Sequence, residues 1–487
     1  MKIEMMEILS DKIDNISLLK KVIETLDNMP SDDRMKIFRE LKNNCNGSIC
    51  NIVIDKSVLR ERTVEDQIKL IEELKNCGYD EYAFNIAVDE YVLSKRTAED
   101  QIKLIEEFRN YDYNYKVYRI ITNKNVLRER TTEDQIKLIE ELKNCGYDEY
   151  ACFIATARDV LKIRTAEDQI KLIEELKNCG YNGYAYEIAT DMVVLKSRTT
   201  EEQIRLIEKL KNCDYNENVY RIITNEDVLS ERTTEEQIKL IEELKNCGYD
   251  EYACFIATAK NVLSERTTED QIKLIEELKN CDYNYDVHRI ATARDVLKIR
   301  TTEDQIKLIE EFKNCDYNEK VYRIITNEDV LRERTVEDQI RLIEELKNYD
   351  YNEIVYKIIT NEDVLRERTT EEQIRLIEEL KNCDYNENVF IIITDEYVLS
   401  ERTAEEQIKL IEEFKKYGYN GIVYEIVISE KLLRKITTED QIKLMEELIK
   451  YNYNRFVFEF VFEEATSSDE LSKKSCEDKI KYIKKFI

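Results

Sequence analysis

The sequence predicts an all-α solenoid, or superhelix, of about twelve 34-residue helix-turn-helix repeats with capping helices at both ends. Three observations predict it. Glutamine recurs every 34 residues, at Gln67, Gln101, Gln135, Gln169, Gln203, Gln237, Gln271, Gln305, Gln339, Gln373, Gln407 and Gln441. Nearly the same string surrounds each one, R-T-x-E-[DE]-Q-I-[KR]-L-I-E-E-[LF]. Two helix-start columns alternate in each period: a threonine and, 17 residues later, Asp or Asn. A fixed period of roughly 20–50 residues marks a repeat architecture whose units mainly touch their neighbours.

The regular array runs from 62 to 465. Residues 1–61 precede it as an N-terminal helical cap and a degenerate repeat. Met6, Leu9, Ile13, Ile16, Leu19, Val22 and Ile23 have helical apolar spacing there, and a degenerate first helix runs from Asp32 to Leu41, ending near Asn44. Residues 466–487 follow as a polar, serine-rich linker and a C-terminal capping helix whose Glu477-Asp478-Lys479-Ile480-Lys481 echoes the repeat. End units of this kind cover the last apolar faces of a solenoid. A chain that is 42% hydrophobic, with one proline and eight glycines, can hold a continuous core and leaves no room for long linkers.

Within the first repeat, Thr63 is the N-cap, and Glu65 and Asp66 face the positive end of the helix dipole. On a helical wheel, Ile68, Leu70, Ile71, Leu74 and Cys77 share one arc, while Glu65, Asp66, Lys69, Glu72, Glu73 and Asn76 fill the other. That outer arc carries roughly −2 per repeat and accounts for most of the net charge. Asp80 is the second cap. Two caps 17 residues apart predict two helices of about 13–14 residues. Tyr79 before this cap and Phe84 after it occupy the positions of a hydrophobic staple. Ala83, Ile86, Ala87, Val92 and Leu93 make the second helix the more buried one.

Charge and composition exclude several functions. A net charge of −29 opposes nucleic-acid phosphates and anionic membranes, and favours a basic partner or none that is charged. No run approaches the length of a membrane span, and the start, with Glu4 and Glu7, does not read as a secretory leader. Eight of the thirteen cysteines fall in one column, Cys77 to Cys383, which tyrosine fills in the other repeats. Such a position asks for a semi-apolar side chain, not a metal ligand. Free thiols in a reducing, cytoplasmic compartment are expected. His288, the only histidine, stands in a column of Tyr, Cys and Phe. No nucleophile elbow, phosphate loop or zinc spacing occurs, so no enzyme, cofactor or metal is expected.

Thirty-four residues per helical hairpin is similar to the tetratricopeptide repeats, over residues 62 to about 465. The chain resembles that class in period and not in signature: Gln67-Ile68-Lys69-Leu70-Ile71-Glu72-Glu73-Leu74 has no glycine inside the first helix, and Pro30 is the only proline. The resemblance implies a tetratricopeptide-like solenoid and a protein-binding scaffold.

The copies serve as an internal comparison. The first helix is almost constant; variation gathers on the second, in the columns of Tyr82, Asn85 and Asp89. One column runs Tyr82, Lys116, Tyr150, Tyr184, Asn218, Tyr252, Asp286, Lys320 and Ile354. Its neighbour runs Asn85, Arg119, Phe153, Glu187, Arg221, Phe255, Arg289, Arg323 and Lys357. Residues three and seven apart share a helix side. These columns therefore predict a stripe that binds a protein or peptide; a solvent-exposed stripe under little constraint is the plainer reading. An acidic structural or decoy array acting on basic partners by charge is the alternative function. The sequence does not give the oligomeric state. The glutamines fall in the apolar arc and predict a hydrogen-bonded ladder, to backbone or to the next glutamine. The arginine before each threonine, Arg62 to Arg402, follows a helix C-terminus and is expected to meet exposed carbonyls, with acids of the adjoining unit as further partners.

Overall fold

The computed structural model describes residues 2–434, 436–450 and 478. The second half of the twelfth repeat, the linker and, apart from Asp478, the C-terminal capping helix lie outside the described residues. The described chain is an all-α repeat solenoid with no strand. It divides into two compact units, Met1–Lys245 and Asn246–Ile487, each a run of the same repeat.

The repeat differs from the expectation in one respect: it has three helices. In the first regular repeat these are α6 (Val64–Asn76), α7 (Glu81–Val88) and α8 (Glu90–Lys95). They follow α1 (Lys2–Ser10), α2 (Ile16–Asp27), α3 (Ser31–Asn44), α4 (Gly47–Ile54) and α5 (Lys56–Glu61). The expected second helix is cut by a cap that sequence reading took for a variable surface position. Asp89 is extended (φ −61°, ψ 121°), and its carboxylate accepts from the N–H groups of Tyr91 and Val92. Asn123, Asp191, Asn225, Asn327, Asn361 and Asp395 cap their third helices likewise. Asp, Asn and Ser compete with helix by bonding nearby backbone, so they start helices better than they continue them.

Threonine caps the first helix as expected. Thr63 accepts from the Asp66 N–H, and Asp66 returns a bond to the Thr63 N–H, closing a capping box. The helix ends in two successive left-handed residues, Gly78 (φ 61°) and Tyr79 (φ 61°). The Gly78 and Tyr79 N–H groups bond the Lys75 and Leu74 carbonyls, which would otherwise be orphaned. The first of the two positions is limited to residues that take this conformation cheaply, glycine or a short polar residue such as Asp, whereas the second is tyrosine. The column obeys that limit: Asp112, Gly146, Gly180 and Asp214 follow in the same unit.

Like helices stack on like. First helices α3 and α6 touch, as do third helices α5 and α8, and α7 also packs on the first helix of the next repeat. Leu70, Ile71, Leu74, Ala83, Ile86, Ala87 and Val92 are fully buried between these layers. α4 and α5 align with α7 and α8 at the repeat period, so residues 31–61 are a complete three-helix repeat with an altered first helix.

Candidate binding surface

The constant polar columns explain the cut helix. Gln101 is fully buried. Its amide Nε2 donates to the carbonyls of Ile86 (2.9 Å) and Ala87 (3.0 Å), which the break at Asp89 leaves free. Its Oε1 accepts from Nε of Arg62 at 3.1 Å. Arg62 in turn donates to the Leu93 (3.0 Å) and Arg96 (2.8 Å) carbonyls at the end of the following third helix. The set recurs within each unit, from Arg96 and Gln135 to Arg198 and Gln237, and from Arg266 and Gln305 to Arg402 and Gln441. The ladder is therefore glutamine to arginine and to backbone, and not glutamine to glutamine. The arginines meet carbonyls as expected; the pairing with acids gives way to this amide. Gln67 departs from the set: Asn28 stands where an arginine would precede it, and its Oε1 has no partner.

One further expectation is corrected. Glu73 belongs to the interior, only 5% exposed, where it pairs with Arg109 of the next repeat at 2.6 Å. The two staple tyrosines pack through a third ring where the first helix ends in phenylalanine: Phe108 lies 5.4 Å from Tyr113 and 6.5 Å from Tyr118. The tyrosine before the cap also reaches backward, as Tyr181 donates its hydroxyl to the Cys145 carbonyl at 2.9 Å.

The cut reduces the variable stripe to two columns. Asp80 caps α7 through the Tyr82 and Ala83 N–H groups, which turns Ala83, Ile86 and Ala87 inward and leaves Tyr82 and Asn85 on the surface. Asp89 is a cap and leaves the stripe. Each tyrosine of the Tyr82 column leans on the ring two residues further along in the next repeat. Tyr82 lies 4.9 Å from Tyr118, Tyr150 lies 4.8 Å from Tyr186, and Tyr184 stacks on Tyr220 at 4.7 Å. In the second unit Tyr252 stacks on His288 at 5.2 Å. The variable columns are thus partly matched between neighbouring copies, and not independent of one another.

Most of the stripe's charges are paired within the chain. Lys116 and Arg119 share Glu149 at 3.0 and 2.8 Å, and Arg119 covers the Phe153 ring. Arg221 meets Glu217 (2.8 Å) and Asn218 (3.4 Å). Arg289 meets Asp286 (3.2 Å) and covers Tyr322. Lys320 holds the Tyr351 carbonyl and Glu353, and Arg323 holds Glu319. Burial and then a hydrogen bond with Glu187 push the Tyr220 hydroxyl up to about 12. Ile354 is half-buried and Lys357 exposed beside them.

Lys357 apart, what stays open is aromatic. Tyr82 and Phe255 are 37% and 40% exposed, and beside them stand Tyr115 and Tyr285, each 55% exposed. Tyr82, Tyr115 and Tyr118 form one cluster; Tyr252, Phe255, Tyr285 and His288 form another. Tyr115 and Tyr285 were not singled out from the sequence. Their column is Glu in most copies and Tyr at these two, each time one repeat after Tyr82 or Tyr252. That coincidence was the available signal.

The first helices carry a different surface. Lys171 pairs with Glu201 of the next repeat (2.8 Å), and Arg205 with Glu235 (2.6 Å). Lys177 and Lys211 donate to the C-terminal carbonyls of Asn144 and Asn178 one repeat back. Glu140, Glu174 and Glu208 stay exposed on this face. Burial lowers the His288 pKa, and its Nδ1 has no hydrogen-bond partner. Among the described residues, no three His, Cys, Asp or Glu side chains are placed to hold a metal ion. Among them too, no helix is long and apolar enough to cross a membrane. No family model matches the chain, and no curated protein matches it.

Proposed function

We propose that this chain is a non-catalytic cytoplasmic scaffold that binds a protein or peptide through the Tyr82 and Asn85 columns of its second helices. The observation that carries this reading is the pair of exposed aromatic clusters on that stripe. Rigid aromatic side chains are the usual anchors of protein interfaces, since they bury large area at small entropic cost. The stripe is also where the copies differ, while the stacking surfaces stay constant.

Affinity capture from lysate with the full chain tests it. Replacing Tyr82, Tyr115, Phe255 and Tyr285 together by alanine should cut capture by at least about tenfold, the effect of losing one good anchor. Helicity should not change. Undiminished capture would place the partner elsewhere. The second reading, a charge-led acidic array, is favoured by the exposed glutamates of the first-helix face, such as Glu140 and Glu174. Salt separates the two. Charge-led binding collapses by about 0.3–0.5 M salt, where screening reaches a few Å, and aromatic anchoring persists.

A further inference from the structure

Ten described cysteines belong to the regular repeats, and two do not. Cys45 stands between α3 and α4, in the extended residue that ends the first helix (φ −62°, ψ 121°). Cys50 is the fourth residue of α4 and fully buried. Their sulfurs are 3.4 Å apart. We propose that Cys45 and Cys50 are a redox-active dithiol that closes to an intramolecular disulfide, with a low-molecular-weight disulfide as oxidant.

The geometry requires little movement. A disulfide bond is about 2.05 Å long, so the sulfurs must approach by about 1.3 Å, within reach of side-chain rotation. The pair is also unequal in access: Cys45 is half-buried, whereas Cys50 is sealed behind it. Cys45 is therefore the attacking thiol. Its thiolate attacks one sulfur of the small disulfide, forms a mixed disulfide and releases one thiolate. Cys50 then gives up its proton and attacks the Cys45 sulfur, releasing the second thiolate. Two protein thiols are oxidised, the small disulfide is reduced to two thiols, and the protons pass to those products.

The other cysteines of the chain provide the contrast. Cys145 and Cys179 lie 3.4 and 3.3 Å from the carboxylates of Glu141 and Glu175. Burial first, and these contacts with it, push both thiols up to about 11. A thiol beside a carboxylate is a poor source of thiolate. Cys45 is drawn the other way: its hydrogen bond with Cys50 lowers it against partial burial, and Lys12 adds to the effect. The thiol pair sits where the irregular start of the chain meets the array, because α3 stacks on α6. Oxidation would tie the end of α3 to α4 at that junction.

Native full-length chain treated with glutathione disulfide, quenched by alkylation and mapped by mass spectrometry, tests the proposal. The expected product joins Cys45 to Cys50 with the loss of two hydrogens, while Cys145 and Cys179 remain alkylatable. Cys50→Ser should stop at a glutathione adduct on Cys45, and Cys45→Ser should leave Cys50 unmodified. A wild-type chain that stops at the mixed disulfide overturns the proposal. So does one that modifies Cys145 or Cys179 as fast as Cys45, or one that keeps every thiol. The wild-type result decides by itself if a variant fails to fold.

Discussion

Replacing Gln135 by leucine would keep the bulk of the side chain and strip four buried groups of a partner. Arg96 Nε and Nη2 lose their 2.9 and 2.6 Å bonds to Oε1, and the Ile120 and Ile121 carbonyls lose Nε2. Leaving buried polar groups unpaired costs about 2–4 kcal/mol here, against about 1 kcal/mol for deleting a single helix cap such as Thr97→Ala. Hydrogen exchange of the second and third helices around Gln135, compared with that of remote repeats, measures the difference locally. Gly146 offers a cleaner backbone test. It sits at φ +61°, and an added Cβ would meet nothing within 4 Å. Gly146→Ala should therefore cost about 1 kcal/mol through conformation alone, with Gly146→Asp milder. Acid acts on the caps. The Thr199 backbone N–H holds the Glu202 carboxyl below its ordinary value, and Thr234 adds a hydroxyl at 2.9 Å. A carboxylate depressed in the folded state stabilises fully above its unfolded pKa of about 4.3 and loses that contribution as pH falls through the folded value. Urea midpoints of Glu202→Gln should accordingly fall less than those of wild type between about pH 5 and 3.

At the scale of the element, the six-residue third helix is too short to stand alone and depends on its two ends. Arginine serves the C-terminal end. The N-terminal end is served by Asp or Asn in most copies, but Ala157, Ala259 and Ala293 make no side-chain cap bond. Ala157→Asp and Ala293→Asp should each stabilise the protein by about 1 kcal/mol, and Asp191→Ala should destabilise it by a similar amount. Thermal or urea unfolding followed by circular dichroism reads both signs. The third helix also shows where pattern reading loses information. The Asp89 column looked variable because alanine, serine, asparagine and aspartate all occur there. Asn or Asp is a cap only where the backbone turns, and nothing local separates a cap from an exposed polar residue inside a longer helix.

At the scale of the whole molecule, the ladder couples neighbouring repeats within each unit with a fixed register. An in-frame deletion of residues 130–163, one full period, should keep it closed, with Arg96 meeting Gln169 in place of Gln135. The shortened chain should retain its fractional helicity and lose stability only slightly, because solenoid stability is close to a sum over repeats and interfaces. Deleting half a period should unfold the region instead. Circular dichroism of both variants separates the outcomes. The candidate surface was less legible than the array. The sequence placed the Tyr82 and Asn85 columns on one side of a helix, and the structure does the same. It could not reveal that Arg119 and Lys116 share Glu149, or that Tyr115 and Tyr285 complete the clusters, because these contacts join residues of different helices and different repeats.

The sequence by itself determined the class and period of the fold, the threonine and Asp80-type caps, and, Glu73 apart, which faces are buried. Those features depend on residues close in the chain: a cap reaches three residues, and an apolar face repeats every three or four. The tertiary structure alone decided that the second segment is two helices, and that the buried glutamine exists to close the carbonyls opened between them. Gln101 and Ile86 lie fifteen residues apart and Arg62 and Gln101 thirty-nine. No local pattern encodes either pairing; stacking one repeat on the next brings the donors to the carbonyls.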